Sequence, residues 1–197
     1  MKETVIINGS CRKNGNTDRL LSSLEEGATS AGVKTIQYVL REKTINQCRG
    51  CYYCYKNKKC AIDDDMQSIH DALQRADLFI LASPMYWWGF TGLMKTFIDR
   101  LYLYYFKDNT PLIAGKKIFI IVPMNVNEEQ HGLAVYQSEI EPLMMTSRYI
   151  FKRLGLQILD IVFFPGLSTR ASLKSHPEHL AGAYGLGESL GQYSEGV

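Results

Sequence analysis

The chain alternates between short apolar runs and longer stretches in which apolar residues recur at helical spacing. Thr4-Val-Ile-Ile-Asn8 is β-branched and almost continuously apolar, the pattern of a strand buried on both faces of a parallel sheet. Leu20, Leu21, Leu24 and Ala28 then mark one face of a helix that ends before Gly32. Residues 33–40 read as a second strand whose mixed pattern places it near a sheet edge. Asp63, Asp64 and Asp65 supply a cap and negative first-turn charge to a helix with Met66, Ile69, Ala72 and Leu73 on its apolar face. The run from Ala76 to Ser83 is the clearest central strand, and Pro84 ends it. Leu93, Met94, Phe97, Ile98 and Leu101 predict a helix within 89–105. A central strand over 115–123, a helix over 137–154, a fifth strand over 157–164 and a final helix over 177–190 complete the series.

Five strands joined by crossover helices demand right-handed connections and an all-parallel sheet covered on both faces, an α/β three-layer sandwich. Ligands of such sheets bind beyond the carboxyl ends of the strands, at the switch point of the topology. The loops after Asn8, Ser83 and Val122 are therefore the ones to inspect. No linker or repeat interrupts the series, so residues 1–197 are expected to form a single domain with a cysteine-rich loop at 47–62.

Charge removes whole classes of partner. Lys and Arg total 22 against 20 Asp and Glu, a net of +2, which argues against a nucleic-acid or membrane surface. The apolar run near the N-terminus is too short for a signal peptide, and no run is long enough to span a bilayer. A cytoplasmic protein is expected, in which five cysteines serve as thiols or metal ligands rather than disulfides.

The first loop, Gly9-Ser-Cys-Arg-Lys-Asn-Gly-Asn-Thr17, carries hydroxyls, amides and two cations between a strand and a helix. Its N–H groups can curl around an anion that also meets the helix N-terminus. It is neither a G-x-G-x-x-G fingerprint nor a Walker A loop, and it suits a monophosphate better than a pyrophosphate. A plain capped turn is the alternative. Ile7-Asn-Gly-Ser-Cys-Arg-Lys-Asn-Gly-Asn-Thr17 resembles the phosphate loop of the NADPH-dependent FMN reductase group within the flavodoxin-like superfamily. Asp64-Asp-Met66, Ala82-Ser-Pro-Met-Tyr-Trp87 and Leu93-Met-Lys-Thr-Phe-Ile-Asp-Arg100 are similar to its further signatures, in order and spacing. The similarity weakens after residue 165. It implies a flavodoxin-like fold with a five-stranded parallel sheet, in which Ser10, Arg12, Asn14, Asn16 and Thr17 hold the FMN phosphate. It also implies that Pro84, Met85, Tyr86, Trp87 and Gly89 lie along the isoalloxazine, with Met124 and Asn125 reaching the flavin from the next strand end. Cys11 stands where the family usually has Pro, which leaves the loop less pre-set.

Read without the family, Tyr86, Trp87, Trp88 and Phe90 put four large aromatics directly after a central strand. Such rings can stack on a planar ligand or form a subunit interface. Asp99 and Arg100 read as helix-end salt-bridging groups, and His70, His131, His176 and His179 as surface residues; none is assigned as catalytic.

Cys48, Cys51, Cys54 and Cys60 follow a C-x2-C-x2-C-x5-C spacing, with Lys56, Lys58 and Lys59 nearby. Four thiolates so spaced suit a [4Fe–4S] cluster, zinc, or reduced and redox-active thiols. The spacing resembles that of iron–sulfur flavoproteins, in which a cluster exchanges electrons with FMN. Two functions follow from these resemblances. One is an FMN-dependent NAD(P)H oxidoreductase, with NAD(P)H as co-substrate and a quinone, flavin or other small molecule as acceptor. The alternative is an iron–sulfur flavoprotein electron carrier served by ferredoxin. A flavin-sensing or structural module is a third reading, and a homodimer or homotetramer is expected in each case.

Overall fold

The structure is a computed structural model that describes residues 3–194. Five strands, β1 (Glu3–Asn8), β2 (Lys34–Val39), β3 (Leu78–Ala82), β4 (Lys117–Pro123) and β5 (Gln157–Phe164), form one sheet in the order β2-β1-β3-β4-β5. Every pairing is parallel. This is the flavodoxin-like α/β fold, and its switch point lies between β1 and β3. The central strands are the continuous apolar runs of the sequence. Leu78–Ala82 is buried at all five positions, whereas the edge strands β2 and β5 keep intermediate or exposed positions along their length.

Helices cover both faces. One core packs Met66, Ile69, Leu73, Phe97, Leu101 and Phe151 on the sheet residues Val5, Ile7, Phe79, Ile118 and Ile120. They come from α3 (Met66–Arg75), α4 (Gly92–Arg100) and α6 (Leu133–Arg153), and from the 3-10 turn 101–105. The other core sets Leu20, Leu21, Leu24 and Ala28 of α1 (Asn16–Ser30), with Ala183 of α7 (Pro177–Ser189), against Ile6, Ile80 and Ile121. The short helices α2 (Tyr53–Asn57), α5 (Glu128–His131) and α8 (Gly191–Ser194) complete the element series.

Four expectations change. The 89–105 segment is helical only from Gly92 and closes in a 3-10 turn after Arg100, and α6 begins at Leu133, four residues before its expected start. The Asp63–Asp65 run does not cap α3 through Asp65, whose side chain makes no capping bond. Asp65 Oδ2 accepts from Thr44 N at 2.7 Å, and Asp64 is held by Arg100 (Nη1–Oδ2 2.7 Å) while its Oδ1 accepts from Met66 N. His70 is buried rather than on the surface. Its Nδ1 lies 3.0 Å from Tyr104 Oη, and burial, followed by the Arg100 charge, pushes its pKa down to about 4.

Among the described residues, no helix is long and apolar enough to cross a membrane.

Candidate cofactor site and cysteine loop

The carboxyl ends of β1, β3 and β4 open into one cleft of about 350 Å³. Its polar end is the β1–α1 loop. Asn8 ends β1 fully buried, and its Oδ1 accepts from Ser10 N at 3.0 Å, turning the chain sharply. Ser10 Oγ accepts from Arg12 N, and Gly15 N donates to Arg12 O at 3.3 Å, so the loop curls back on itself. Asn14 stands in the left-handed region at φ 56°. Asn-type residues tolerate that region best after glycine. A Cβ on Gly15 would press to 3.2 Å against both Arg12 Cβ and Arg12 O, so the curl admits no side chain there without movement.

The aromatic end follows β3. Ser83 Oγ accepts from Thr91 N at 3.1 Å, and Thr91 Oγ1 donates to Gly9 O at 2.6 Å. These bonds clamp the β3–α4 loop to the β1 loop at the switch point. Between them, Tyr86 and Gly89 exchange two backbone hydrogen bonds of 3.0 Å, enclosing Trp87 (φ 48°) and Trp88 (φ 57°). Two left-handed central residues define a type I′ turn, which normally holds Asn-Gly. With Trp-Trp there, both residues bear steric strain, and Trp87 is 88% exposed.

Of the residues expected to hold a cofactor, Ser10, Arg12, Asn16, Thr17, Pro84, Met85, Tyr86, Trp87, Met124 and Asn125 line this one cleft. Asn14 and Gly89 do not line it. Asn14 offers its N–H to Asp18 Oδ2 at 2.7 Å, and Gly89 closes the tryptophan turn. The sequence reading missed a fourth wall. Leu167 and Ser168 line the cleft because Leu167 N donates to Met124 O, and Asn16 Nδ2 donates to Thr169 O at 2.8 Å. Pro165 and the left-handed Gly166 marked that turn in the sequence.

The donor set fits FMN. Arg12 and the helix N-terminus supply positive charge and N–H donors, and Tyr86 and Trp87 offer aromatic surface at the other end.

The family model for NADPH-dependent FMN reductase matches residues 2–150. The chain belongs to that family. Among its relatives, this FMN reductase family member is 35% identical over 114 residues to an iron–sulfur flavoprotein of Archaeoglobus fulgidus, covering 58% of this chain and 50% of the relative. It is 39% identical over 101 residues to one of Clostridioides difficile, covering 50% and 45%. The chain thus spans about half the length of these curated relatives. Over 87% of its length and 89% of the relative, it is 26% identical to a putative NAD(P)H-dependent FMN-containing oxidoreductase of Bacillus subtilis. Its fold matches an NAD(P)H:quinone oxidoreductase from Methanothermobacter marburgensis with a TM-score of 0.73 at 16% identity, over 95% of this chain and 94% of that one. An FMN-dependent NADH-azoreductase from Bacillus anthracis, solved with FMN, matches with a TM-score of 0.65 at 13% identity, over 98% and 99%.

The four-cysteine loop of this reductase-family chain lies apart from the cleft. Cys48 and Cys51 are exposed, and Cys54 and Cys60 are half-buried. Burial pushes the Cys54 thiol up, and the charges of Cys60, Cys48 and Cys51 add to that, so all three thiols act electrostatically on Cys54. Among the described residues, the one group of three metal-capable side chains inside 4.8 Å is His176, Glu178 and His179, at the start of α7. His176 Nδ1 pairs there with Glu178 Oε1 at 2.9 Å, and His179 Nε2 lies 2.9 Å from Pro165 O.

The expected helix-end role holds for Asp99, which pairs with Lys95 at 2.6 Å. Arg100 instead reaches across the fold to Asp64.

Proposed function

We propose that the chain is an FMN-dependent NAD(P)H oxidoreductase whose cofactor occupies the β1/β3/β4 cleft. The observation that carries this reading is one cleft that joins an anion-binding curl, with Ser10, Arg12 and Thr17, to an aromatic shelf of Tyr86 and Trp87. Membership of the FMN reductase family supports the same cofactor. Bound FMN supplies hydride acceptance from NAD(P)H and electron delivery to a quinone, flavin or other planar acceptor.

The protein supplies binding and orientation. Ser10, Arg12, Asn16 and Thr17 hold the phosphate, with Arg12 giving charge-assisted bonds, while Asn14 shapes the loop from outside the cleft. Pro84, Met85, Tyr86 and Trp87 set the ring along the β3 loop, whose turn Gly89 closes, and Met124 and Asn125 bound its far edge. The backbone bonds Met85 N to Pro123 O (3.0 Å) and Met124 N to Phe164 O (2.9 Å) keep these loops in register. No side chain of the cleft is given a general acid or base role. A homodimer or homotetramer is part of the reading. The exposed Tyr52, Tyr105 and Tyr149 line a broad groove of about 970 Å³ between the cysteine loop, α4 and α6, a surface suited to a second copy.

A second reading rests on the cysteine loop. Cys48, Cys51, Cys54 and Cys60 fall within one loop at C-x2-C-x2-C-x5-C spacing, and the Archaeoglobus and Clostridioides relatives are named iron–sulfur flavoproteins. In it, Cys48, Cys51, Cys54 and Cys60 hold a [4Fe–4S] cluster and the chain carries electrons from a ferredoxin.

Anaerobic purification, an absorption spectrum, and iron and sulfide assays separate the two. A flavin spectrum with negligible iron and turnover of NAD(P)H supports the oxidoreductase. Stoichiometric iron and sulfide per chain supports the electron carrier. A protein that binds no FMN on reconstitution contradicts both.

A further inference from the structure

Beneath the phosphate loop lies a half-buried polar cluster that the cofactor reading leaves unused. Asp18, in the first turn of α1, receives three donors. Asn14 N reaches Oδ2 at 2.7 Å, while Asn8 Nδ2 and Arg41 Nη1 reach Oδ1 at 2.8 and 3.0 Å. Arg41 follows β2 just as Ser10 follows β1, since Asn8 and Val39 are register partners, and Arg41 Nη1 also donates to Ser10 O at 3.3 Å. The same Asn8 that donates to Asp18 accepts from Ser10 N. One carboxylate is thereby tied to both arms of the curl, directly to Asn14 and through Asn8 and Arg41 to Ser10. The side chains of Asp18 and Arg41 are 18% and 15% exposed, and Asn8 is fully buried.

A carboxylate beneath a site for a phosphate dianion is unfavourable on charge alone. Asp18 is nevertheless the residue that fastens the one left-handed, non-glycine position of the loop. Arg41 pairs with it, so its field at the loop is partly cancelled.

We propose that Asp18 is the positioning residue of the phosphate loop. Clamped by Asn8 and Arg41, it fixes Asn14 in its left-handed conformation, so that the loop N–H groups converge on a monophosphate ester. The inference rests on the FMN reading of the cleft.

Charge and position predict opposite signs, which makes the test decisive. Were Asp18 only a negative charge near the phosphate, Asp18→Ala would tighten FMN binding. As a positioning residue, its loss weakens FMN while leaving riboflavin, which lacks the phosphate, unchanged. The measurement is the dissociation constant of FMN and of riboflavin for wild type, Asp18→Ala and Asp18→Asn, by flavin fluorescence quenching. The ratio of riboflavin to FMN constants isolates the phosphate. We expect that ratio to fall about tenfold or more in Asp18→Ala, the scale of a lost hydrogen bond to a charged group, with riboflavin binding within about twofold of wild type. Asp18→Asn keeps one acceptor oxygen and should fall between.

A general loss of structure weakens both flavins together, leaves the ratio intact and overturns the proposal, as does a ratio that rises. Should Asp18→Ala not fold, Asp18→Asn carries the test, since it removes the charge and one acceptor oxygen, and the ratio falls if position governs and rises if charge does. A wild-type ratio near one contradicts the phosphate-loop reading itself. A high wild-type ratio that neither variant changes contradicts only the role of Asp18.

Discussion

Arg100 Nη1 lies 2.7 Å from Asp64 Oδ2, and both side chains are almost completely shielded from water, at 0% and 2% exposure. The second guanidinium nitrogen reaches Asp64 Oδ1 at 3.1 Å, making the pair bidentate, and Nη1 also donates to Asn46 O at 2.8 Å. The pair pins the segment that carries Cys48–Cys60 to the C-terminus of α4. Removing one partner leaves the other charged and buried, so Asp64→Asn or Arg100→Met should each cost about 3–5 kcal/mol. The double variant should recover part of that loss. Urea unfolding of the three variants checks both statements.

The same carboxylate gives the fold an acid limit. Burial pushes the Asp64 pKa up, but hydrogen bonds from Arg100 and Asn46 N, with the Arg100 charge, hold it below the usual 3.8. A lowered carboxylate contributes stability that is complete above its unfolded value and lost as pH falls through the folded one. His70 acts at milder acidity. Its folded pKa is about 4 against 6.5 unfolded, so the unfolded chain takes up the proton first and stability falls between those values. Wild type should lose on the order of 3 kcal/mol from this group between pH 7 and pH 4. In His70→Gln the loss over that range should be visibly smaller in urea midpoints measured at pH 7 and pH 4.

Strand ends, and hence three of the four cleft walls, were legible in the sequence because a buried parallel strand is a continuous apolar run that stops at Asn8, Ser83 or Pro123. The fourth wall was not, since Leu167 and Ser168 sit in an irregular segment placed by long-range bonds to Met124 and Asn16. Asp64 reads as a helix cap from its neighbours and does accept from Met66 N, but its second partner, Arg100, is 36 residues away. His70 did leave a signal. It shares the helical stripe of Met66, Ile69 and Leu73, at spacings of four, one and three.

Helices α1 and α7 touch backbone to backbone. A Cβ at Gly27 would stand 2.1 Å from Tyr184 O, and one at Gly187 would stand 2.0 Å from Leu24 O. Neither contact can be relieved by a side-chain rotation, so Gly27→Ala and Gly187→Ala should each destabilise by about 1–3 kcal/mol or more through forced helix separation. Thermal unfolding measures this, and a change of less than a few tenths of a kcal/mol would mean the helices can slide apart freely.

The tryptophan turn should trade stability for binding. Replacing Trp87-Trp88 by Asn-Gly restores the residues a type I′ turn favours and should raise apoprotein stability by about 1–2 kcal/mol. The same double variant loses the exposed ring of Trp87 from the cleft and should retain FMN more weakly. Thermal unfolding of the apoprotein and FMN titration read the two effects separately, and stability that falls with the change would remove strain as the account of this turn.

The central claim is that the β1/β3/β4 cleft binds FMN and passes it electrons from NAD(P)H. The most direct test is anaerobic titration of the FMN-reconstituted protein with NADPH and, separately, NADH, following the visible flavin band. The account predicts stoichiometric FMN binding and bleaching of the band by one equivalent of at least one nicotinamide, with colour restored on adding a quinone. Failure to bind FMN, or a bound flavin that neither nicotinamide bleaches, would contradict it.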